Sequence, residues 1–179
     1  MQYSTEFRER EQEIVDLFAA TFTASDGMAE GELTGGLVRK LMCGTPRKDI
    51  HLFTTWDNGL LVAGAVLTRL TFAGDPRTVF LVSPLAVATD RQGEGIGKAL
   101  LRHALAEMRN EGVDVVMTYG DPAFYGRVGF LPVSEVIVPA PLPLSHPEGW
   151  IGQSLTAAEL TPLQGPCTCV TALDDARFW

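Results

Sequence analysis

Cysteine is scarce in this sequence, and long apolar runs are absent. The three cysteines among 179 residues are an odd number without a disulfide-framework spacing, so we expect a cytoplasmic protein in a reducing compartment. No run reaches the roughly eighteen apolar residues of a membrane-spanning helix, and we predict no membrane association. The first residues have neither a basic start nor an apolar signal core, so export is not expected.

Basic residues are few as well. Lys and Arg number 14 against 22 Asp and Glu, a net charge of −8, whereas a nucleic-acid surface needs clustered cations. We therefore expect no nucleic-acid partner, and the negative charge favours a cationic substrate. Cys167 and Cys169 lack the nearby histidines of a zinc site, so we predict no metal and place them at alternate positions of a terminal strand.

The most informative segment is a glycine-rich loop within residues 87–100. It follows an almost unbroken apolar run, residues 80–87, which is typical of a strand buried on both faces. After it, apolar residues recur at helical spacing until Gly112. The first turn of a helix has N–H groups without intrahelical partners and partial positive charge. The segment therefore predicts a phosphate-containing ligand.

Two familiar phosphate loops do not match this segment. A Walker loop needs Ser or Thr after the lysine, but Lys98 is followed by Ala99, and Gln92 stands where its first glycine belongs. A dinucleotide fingerprint starting at Gly93 would need a third glycine where Lys98 stands. What remains is Gln92, then Gly95 and Gly97, preceded by a basic residue. An ordinary glycine-rich connection is the alternative interpretation of the loop.

A second motif follows a second apolar strand, residues 113–119. Strand, helix and strand over this length indicate a crossover between parallel strands. In the next segment, Tyr125 lies four residues before Gly129, which is followed by Phe130. Together the two motifs resemble those of the GNAT superfamily of N-acetyltransferases, over about residues 50–133. The compact Gly-Asp-Pro form before the tyrosine is similar to a bacterial subgroup of uncharacterised N-acetyltransferases and lacks the asparagine of many members.

The resemblance implies an α/β (α+β) fold in one domain, residues 1–179. We expect a mixed, mostly antiparallel sheet with helices on both faces and a parallel β4/β5 pair that splays apart after Val87. The cofactor core would lie at about residues 78–133, with acceptor-side elements at about 20–45 and 134–155. No second domain or repeat is evident, and this length is enough for one hydrophobic core.

The resemblance also implies acetyl-CoA as co-substrate, with no metal. Main-chain N–H groups of about residues 92–98 would bind the pyrophosphate, and residues 85–87 would pair with the pantetheine arm. Tyr125 would protonate the leaving thiolate as general acid, since a phenol stays protonated at neutral pH; a packed core aromatic is the alternative. The predicted cofactor-binding residues are Leu85, Ala86, Val87, Arg91, Gln92, Gly93, Glu94, Gly95, Ile96, Gly97 and Lys98.

The general base stays open at this point. Many relatives have a glutamate on the fourth strand, where this chain has Ser83 and no carboxylate. His51, Asp57 and Asp121 are alternatives, although Asp before Pro is also a helix-start signature that explains Asp121 without catalysis.

The acceptor side offers further candidates. In the family, the region between the first two helices shapes the acceptor pocket, which makes Asp26, Glu30 and Glu32 candidate amine-binding carboxylates; a solvated acidic loop is the competing interpretation. His146, in the proline-rich segment, is placed to reach the same site. The implied function is acetyl transfer to a primary amine of a small molecule, peptide or protein N-terminus. A non-catalytic acyl-CoA-binding sensor is the alternative, and because relatives often pair, a homodimer is left open.

Periodicity and turn signals place the remaining elements. We predict a strand at residues 2–7, helices at 9–24 and 33–42 separated by a break at 25–27, and a loop in the proline-rich stretch at 139–147. A hairpin is predicted from strands 51–57 and 60–70 around the Asp-Asn-Gly turn, and a later strand at 150–155.

Overall fold

The computed structural model describes the whole chain, Met1–Trp179. It contains four helices and eight strands, joined by short 3₁₀ turns. The helices are α1 Glu11–Asp26, α2 Met28–Gly44, α3 Ile96–Asn110 and α4 Pro122–Tyr125. The strands are β1 Gln2–Ser4, β2 Ile50–Asp57, β3 Leu60–Phe72, β4 Val79–Val87, β5 Val115–Tyr119, β6 Leu131–Pro132, β7 Trp150–Ser154 and β8 Cys167–Thr168. No helix combines the length and apolar character that a membrane crossing requires.

The strands form one mixed sheet in the order β1-β2-β3-β4-β5-β7-β6, and β8 pairs with β3. The connection from β4 to β5 runs through α3, and these two strands are parallel, with Val79 opposite Val115 and Val82 opposite Thr118. The neighbouring pairs β5/β7 and β6/β7 are antiparallel. The predicted fold, a mostly antiparallel sheet with one parallel pair, is confirmed.

α1 has the predicted length but begins and ends two residues later, and α2 is longer than predicted, beginning at Met28 and ending at Gly44. The predicted break at 25–27 is wrong for Ser25 and Asp26, which belong to α1: Ser25 Oγ donates to the main-chain oxygen of Thr21, 3.3 Å away, and so stays compatible with the helix. Gly27 alone, with φ of +96°, separates α1 from α2. At Gly31 a Cβ atom would lie 2.6 Å from the Ala19 carbonyl oxygen, so this glycine lets the helices pack closely.

The predicted hairpin between β2 and β3 is confirmed. Asn58 and Gly59 have φ values of 49° and 81°, the left-handed pair that a tight two-residue connection requires. β2 begins one residue earlier than predicted, at Ile50, and β3 ends two residues later, at Phe72. Both added ends are apolar and continue the pattern of the strands. Most of the residues of both strands are buried.

The C-terminal segments have the predicted kinds of secondary structure, but their lengths differ from the prediction. The proline-rich stretch forms an irregular loop up to a 3₁₀ turn at Pro147–Gly149, and Val138 accepts a hydrogen bond from Trp150 Nε1 at 2.8 Å. The predicted terminal strand is short: Cys167 and Thr168 pair with β3, and Cys169 lies outside.

The chain has two compact units, each built from two stretches of sequence. One comprises Met1–Leu67 and Pro84–Ala104, and the other Thr68–Ser83 and Leu105–Trp179. The first contains β1, α1, α2, β2 and the loop that begins α3. The second contains the β4/β5 ladder, α4 and everything that follows it in sequence. That the chain acts as a single domain stays a prediction.

Candidate active site

The glycine-rich loop ends at the first residue of α3, as its sequence predicted. Gly93 and Gly95 both have φ of +83°, and the first intrahelical bond runs from Ala99 N–H to Gly95 O at 3.0 Å. The N–H groups of Ile96, Gly97 and Lys98 therefore precede the helical ladder and carry the partial positive charge of the helix start. Cβ atoms built at Gly93 and Gly95 meet nothing within 4 Å, so the loop has open space for a ligand.

Two side chains of the loop form hydrogen bonds and ion pairs with neighbouring residues. Arg91 Nε lies 3.1 Å from both carboxylate oxygens of Glu94, and Arg91 Nη2 lies 3.1 Å from Asp57 Oδ2. Hydrogen bonding to Glu94, and then to Asp57, raises the pKa of the Arg91 guanidinium. Gln92 Nε2 donates to the Val87 carbonyl at 3.2 Å. Arg91 and Gln92 are thus engaged with neighbouring groups of the chain, and Asp57 is in an ion pair.

The parallel ladder ends earlier than predicted. We expected β4 and β5 to separate after Val87, but the last paired residues are Val82 and Thr118, while β4 continues to Val87. Separation therefore begins at Ser83, before Pro84, a residue that has no N–H to donate to a ladder. The correction lengthens the stretch of β4 that has no β5 partner.

The end of β4 presents main-chain groups away from β3. Ala88 N–H donates to Val62 O of β3 at 2.9 Å, and because main-chain direction alternates along a strand, the preceding Val87 faces the opposite edge. The Val87 carbonyl accepts from Thr21 Oγ1 at 3.3 Å as well as from Gln92. The Val87 N–H is the group left at this end of β4 for an added extended chain.

Tyr125 lies at the end of the short helix α4. Asp121 Oδ1 accepts from Ala123 N–H at 2.8 Å and Pro122 occupies the first turn, so Asp121 caps the helix as the Asp-Pro pair predicted. The Tyr125 ring is buried and meets Phe124 and Phe130 edge to face, with centroids 5.0 and 5.4 Å away.

The environment of the Tyr125 phenol keeps it protonated. Burial raises its pKa above the usual value, hydrogen bonding with Thr118 opposes the rise, and the charge of Asp121 adds to it. Thr118 is itself fully buried, and its Oγ1 donates to Val82 O at 2.7 Å, at the last rung of the ladder. The sequence reasoning missed Thr118; its signal was a threonine in an apolar strand just before the tyrosine motif.

The other predicted candidates are scattered. His51 lies on β2, its ring 6.4 Å from that of Phe53. Asp26 is exposed at the end of α1, hydrogen-bonded to Ser25, while Glu30 and Glu32 lie in the first turns of α2. These three acidic residues belong to helices and not to a loop, because a single glycine joins α1 to α2. The acidic-loop interpretation is therefore wrong.

His146 lies where an exposed loop meets the end of β5. Its main-chain N–H donates to Tyr119 Oη at 2.6 Å, and its Nδ1 is 3.5 Å from Glu148 Oε1. Both side chains are exposed. They border a pocket that also contacts Gly120, one residue before Asp121.

Comparison with known proteins agrees with these motifs. A family model described as an acetyltransferase (GNAT) domain matches residues 5–133. The uncharacterized N-acetyltransferase YjhQ of Escherichia coli K12 is 35% identical over 116 residues, 62% of this chain and 64% of YjhQ. YhbS from the same strain is 30% identical over 81 residues, 45% of this chain and 48% of YhbS. The chain thus aligns with less than two thirds of the length of these curated relatives.

Solved structures match the fold over nearly the whole chain. YhbS from Escherichia coli in complex with CoA has a TM-score of 0.82 at 20% identity, covering 98% of this chain and 92% of that one. A GNAT family acetyltransferase from Brucella melitensis in complex with acetyl-CoA has a TM-score of 0.75 at 21% identity, with 97% of each chain covered. From the family model and the motifs in residues 85–130, this chain belongs to the GNAT acetyltransferase family.

Proposed function

We propose that this protein is an acetyl-CoA-dependent N-acetyltransferase that moves an acetyl group directly to a primary amine in a ternary complex. The observation that carries the proposal is the glycine loop, where open space at Gly93 and Gly95 faces unpaired N–H groups of the α3 start. Family membership, and the CoA and acetyl-CoA bound in the two structural relatives, support the choice of ligand.

The residues fit that ligand. Ile96, Gly97 and Lys98 N–H groups would hold the pyrophosphate, with positive helix-end charge opposite negative phosphate. Leu85 and the Val87 N–H would pair with the amide groups of the pantetheine arm, as an added strand does. A Val87 N–H so placed would also stabilise negative charge on an acyl oxygen.

Acetyl-CoA supplies a thioester that a neutral amine attacks without a covalent enzyme intermediate. The protein's tasks are then to hold the two reactants in line and to move protons. Tyr125 donates its phenolic proton toward the departing sulfur, and burial keeps the phenol protonated until that moment. Overall, the amine loses one proton to solvent, the acyl carbon gains a bond to nitrogen in place of sulfur, the departing sulfur takes the proton of Tyr125, and the phenolate regains a proton from solvent.

Of the candidate bases, two have other roles in the structure. Asp57 is paired with Arg91, and Asp121 caps α4. An acceptor amine that is partly neutral at working pH would need only water to take its proton. This makes the identity of the amine, rather than a buried carboxylate, the main determinant of rate.

The experiment is calorimetric titration with acetyl-CoA, CoA and 3′-dephospho-CoA, followed by free-thiol release with a panel of primary amines. We expect one site per chain, similar affinity for all three nucleotides because the pyrophosphate carries the binding, and thiol release with at least one amine. Binding without thiol release from any amine would favour a non-catalytic acyl-CoA sensor. Absence of binding would contradict the proposal and make the loop an ordinary strand-to-helix turn.

A further inference from the structure

A pocket of about 320 Å³ lies at the carboxyl end of β5. Two stretches of chain line it: the end of β5 and the start of α4 on one side, and the segment before β7 on the other. Its lining residues are Tyr119, Gly120, Pro122, His146, Glu148 and Gly149. All of them belong to the second compact unit.

Hydrogen bonds hold the two sides of the pocket together. Gly120 N–H donates to Gly149 O at 3.0 Å, and the His146 N–H donates to Tyr119 Oη at 2.6 Å. Gly149 N–H closes the turn on His146 O at 2.8 Å. A Cβ atom at Gly149 would lie 3.3 Å from the Tyr119 ring, so glycine suits this close approach. The pocket is therefore preformed by main-chain contacts.

The lining chemistry is apolar inside and acidic at the rim. Tyr119, Pro122 and two glycines line it together with His146 and Glu148, and no lysine or arginine is among the lining residues. Glu148 supplies a carboxylate at the rim, 75% exposed and only loosely paired with His146 at 3.5 Å. Such a site fits a small, mostly apolar molecule that has one positively charged group.

The volume limits the size of that body. A water molecule takes about 30 Å³ of liquid, so the pocket accommodates about ten non-hydrogen atoms. The pocket also adjoins Tyr125: Gly120 lines it and at the same time contacts the Tyr125 ring, where a Cβ atom would come within 2.8 Å of Cε2. Gly120 therefore lies between a ligand in the pocket and the ring of Tyr125, the residue assigned as general acid.

We propose that this pocket receives the acceptor, and that the acceptor is a primary ammonium on a small apolar or aromatic body, selected by Glu148. The inference rests on the proposed acetyl transfer and adds the substrate class. Because Glu148 is exposed, its contribution is modest, and it acts by favouring cations and disfavouring amines that carry a neighbouring carboxylate.

The test uses 2-phenylethylamine and phenylalanine, which share a phenyl ring and an ammonium but differ in one carboxylate. Free-thiol release and calorimetric binding of each amine are measured for the wild type, Glu148→Gln, Glu148→Lys and the control Glu135→Gln, an exposed carboxylate outside the pocket. We expect Glu148→Gln to raise the KM or Kd for 2-phenylethylamine about three- to fivefold. Glu148→Lys should raise the KM or Kd for 2-phenylethylamine further and lower that for phenylalanine. Glu135→Gln should leave the values for both amines unchanged.

The outcomes separate this inference from the function on which it rests. If thiol is released but the variants at Glu148 match Glu135→Gln, the acceptor binds elsewhere and the acetyl transfer stands. If Glu148→Lys changes the Kd for CoA instead of the amine, the pocket belongs to the cofactor, and the inference is overturned. It is overturned too if the wild type binds CoA but neither binds nor acetylates 2-phenylethylamine. A wild type that binds no CoA contradicts the proposed function itself.

Discussion

The Tyr125 ring packs directly against Gly120, so closely that a Cβ atom at position 120 would lie 2.8 Å from the ring's Cε2 atom. Real Cβ atoms are not found at such a distance, and any larger residue would displace the ring. At the other end of the side chain, Thr118 opposes the rise in the pKa of the phenol that burial causes, and its own hydroxyl donates to the Val82 carbonyl. The position of the ring is thus set by Gly120, in the turn after β5.

Tyr125→Phe removes the proposed proton donor and keeps the packed ring. We expect kcat to fall about 100-fold, within the range that general acids contribute, while the Kd for acetyl-CoA stays within about twofold. Steady-state thiol release and calorimetry measure the two quantities. Tyr3→Phe, at a partly exposed tyrosine on β1, is the control. Unchanged kcat in Tyr125→Phe would make this tyrosine a packing residue.

Gly120→Ala should displace the phenol without removing it. Because small misplacements of a catalytic group are costly, we expect a fall in kcat of about tenfold or more. Gly36→Ala is a matched control, since a Cβ atom there meets nothing within 4 Å. Measured kcat and thermal stability distinguish a displaced phenol from general unfolding. Equal kcat in the two variants would mean that the ring position is unimportant.

Gly95→Ala and Gly112→Ala form a pair that separates strain from ligand contact. Both glycines have φ above +80°, and Cβ atoms at both meet open space, so each change should cost a similar ~1–2 kcal/mol of stability. Only Gly95 lies at the start of α3, where a methyl group would meet a bound pyrophosphate. We expect the Kd for CoA to rise about tenfold or more in Gly95→Ala and less than about twofold in Gly112→Ala. The same Kd in both would place the phosphate elsewhere.

The pair formed by Asp75 and Arg77 predicts a pH-dependent stability. The Arg77 guanidinium, 2.6 Å away, holds the pKa of the buried Asp75 carboxyl well below its usual range. A lowered folded pKa stabilises the fold above the unfolded pKa, about 3.9, and this contribution is lost as pH falls further. Asp75→Asn should cost about 2 kcal/mol at pH 7 and less near pH 2.5, measured by urea unfolding.

A control for Asp75→Asn is available near the C-terminal end of the chain. Asp175 also pairs with an arginine two residues later, at 2.6 Å, but the Arg177 side chain is 64% exposed. Asp175→Asn should therefore change stability less at pH 7. An equal loss at pH 7 and pH 2.5 in Asp75→Asn would attribute its effect to packing.

The three thiols should react at different rates with a disulfide reagent at pH 8. Cys43 is exposed, whereas burial raises the pKa of Cys167 to about 12 and that of Cys169 to about 11. Because the thiolate is the reactive form, we expect one fast thiol per folded chain, abolished by Cys43→Ser. Two or more fast thiols in the native protein would contradict the burial of the C-terminal pair.

Local motifs were predictable from the sequence because their signals are themselves local. The Asn-Gly turn requires a left-handed backbone, and the glycine loop before α3 requires positive φ next to a helix start. Both requirements can be recognised from residues that are adjacent in sequence. The boundary between α1 and α2 was not predictable in the same way. Ser25 and Asp26 favour caps and turns in general, yet here the helix continues past them until Gly27.

The sequence by itself determined the order of elements, the glycine loop at the start of α3 and the helix cap at Asp121, because these depend on neighbours within a few residues. Tertiary structure decided that β4 leaves β5 at Val82, that Thr118 meets the Tyr125 phenol, and that Asp57 is taken by Arg91. The pocket beside Gly120 also depends on the tertiary structure. Each of these relationships joins residues distant in sequence, and the strand register that brings them together is set by burial across the whole sheet.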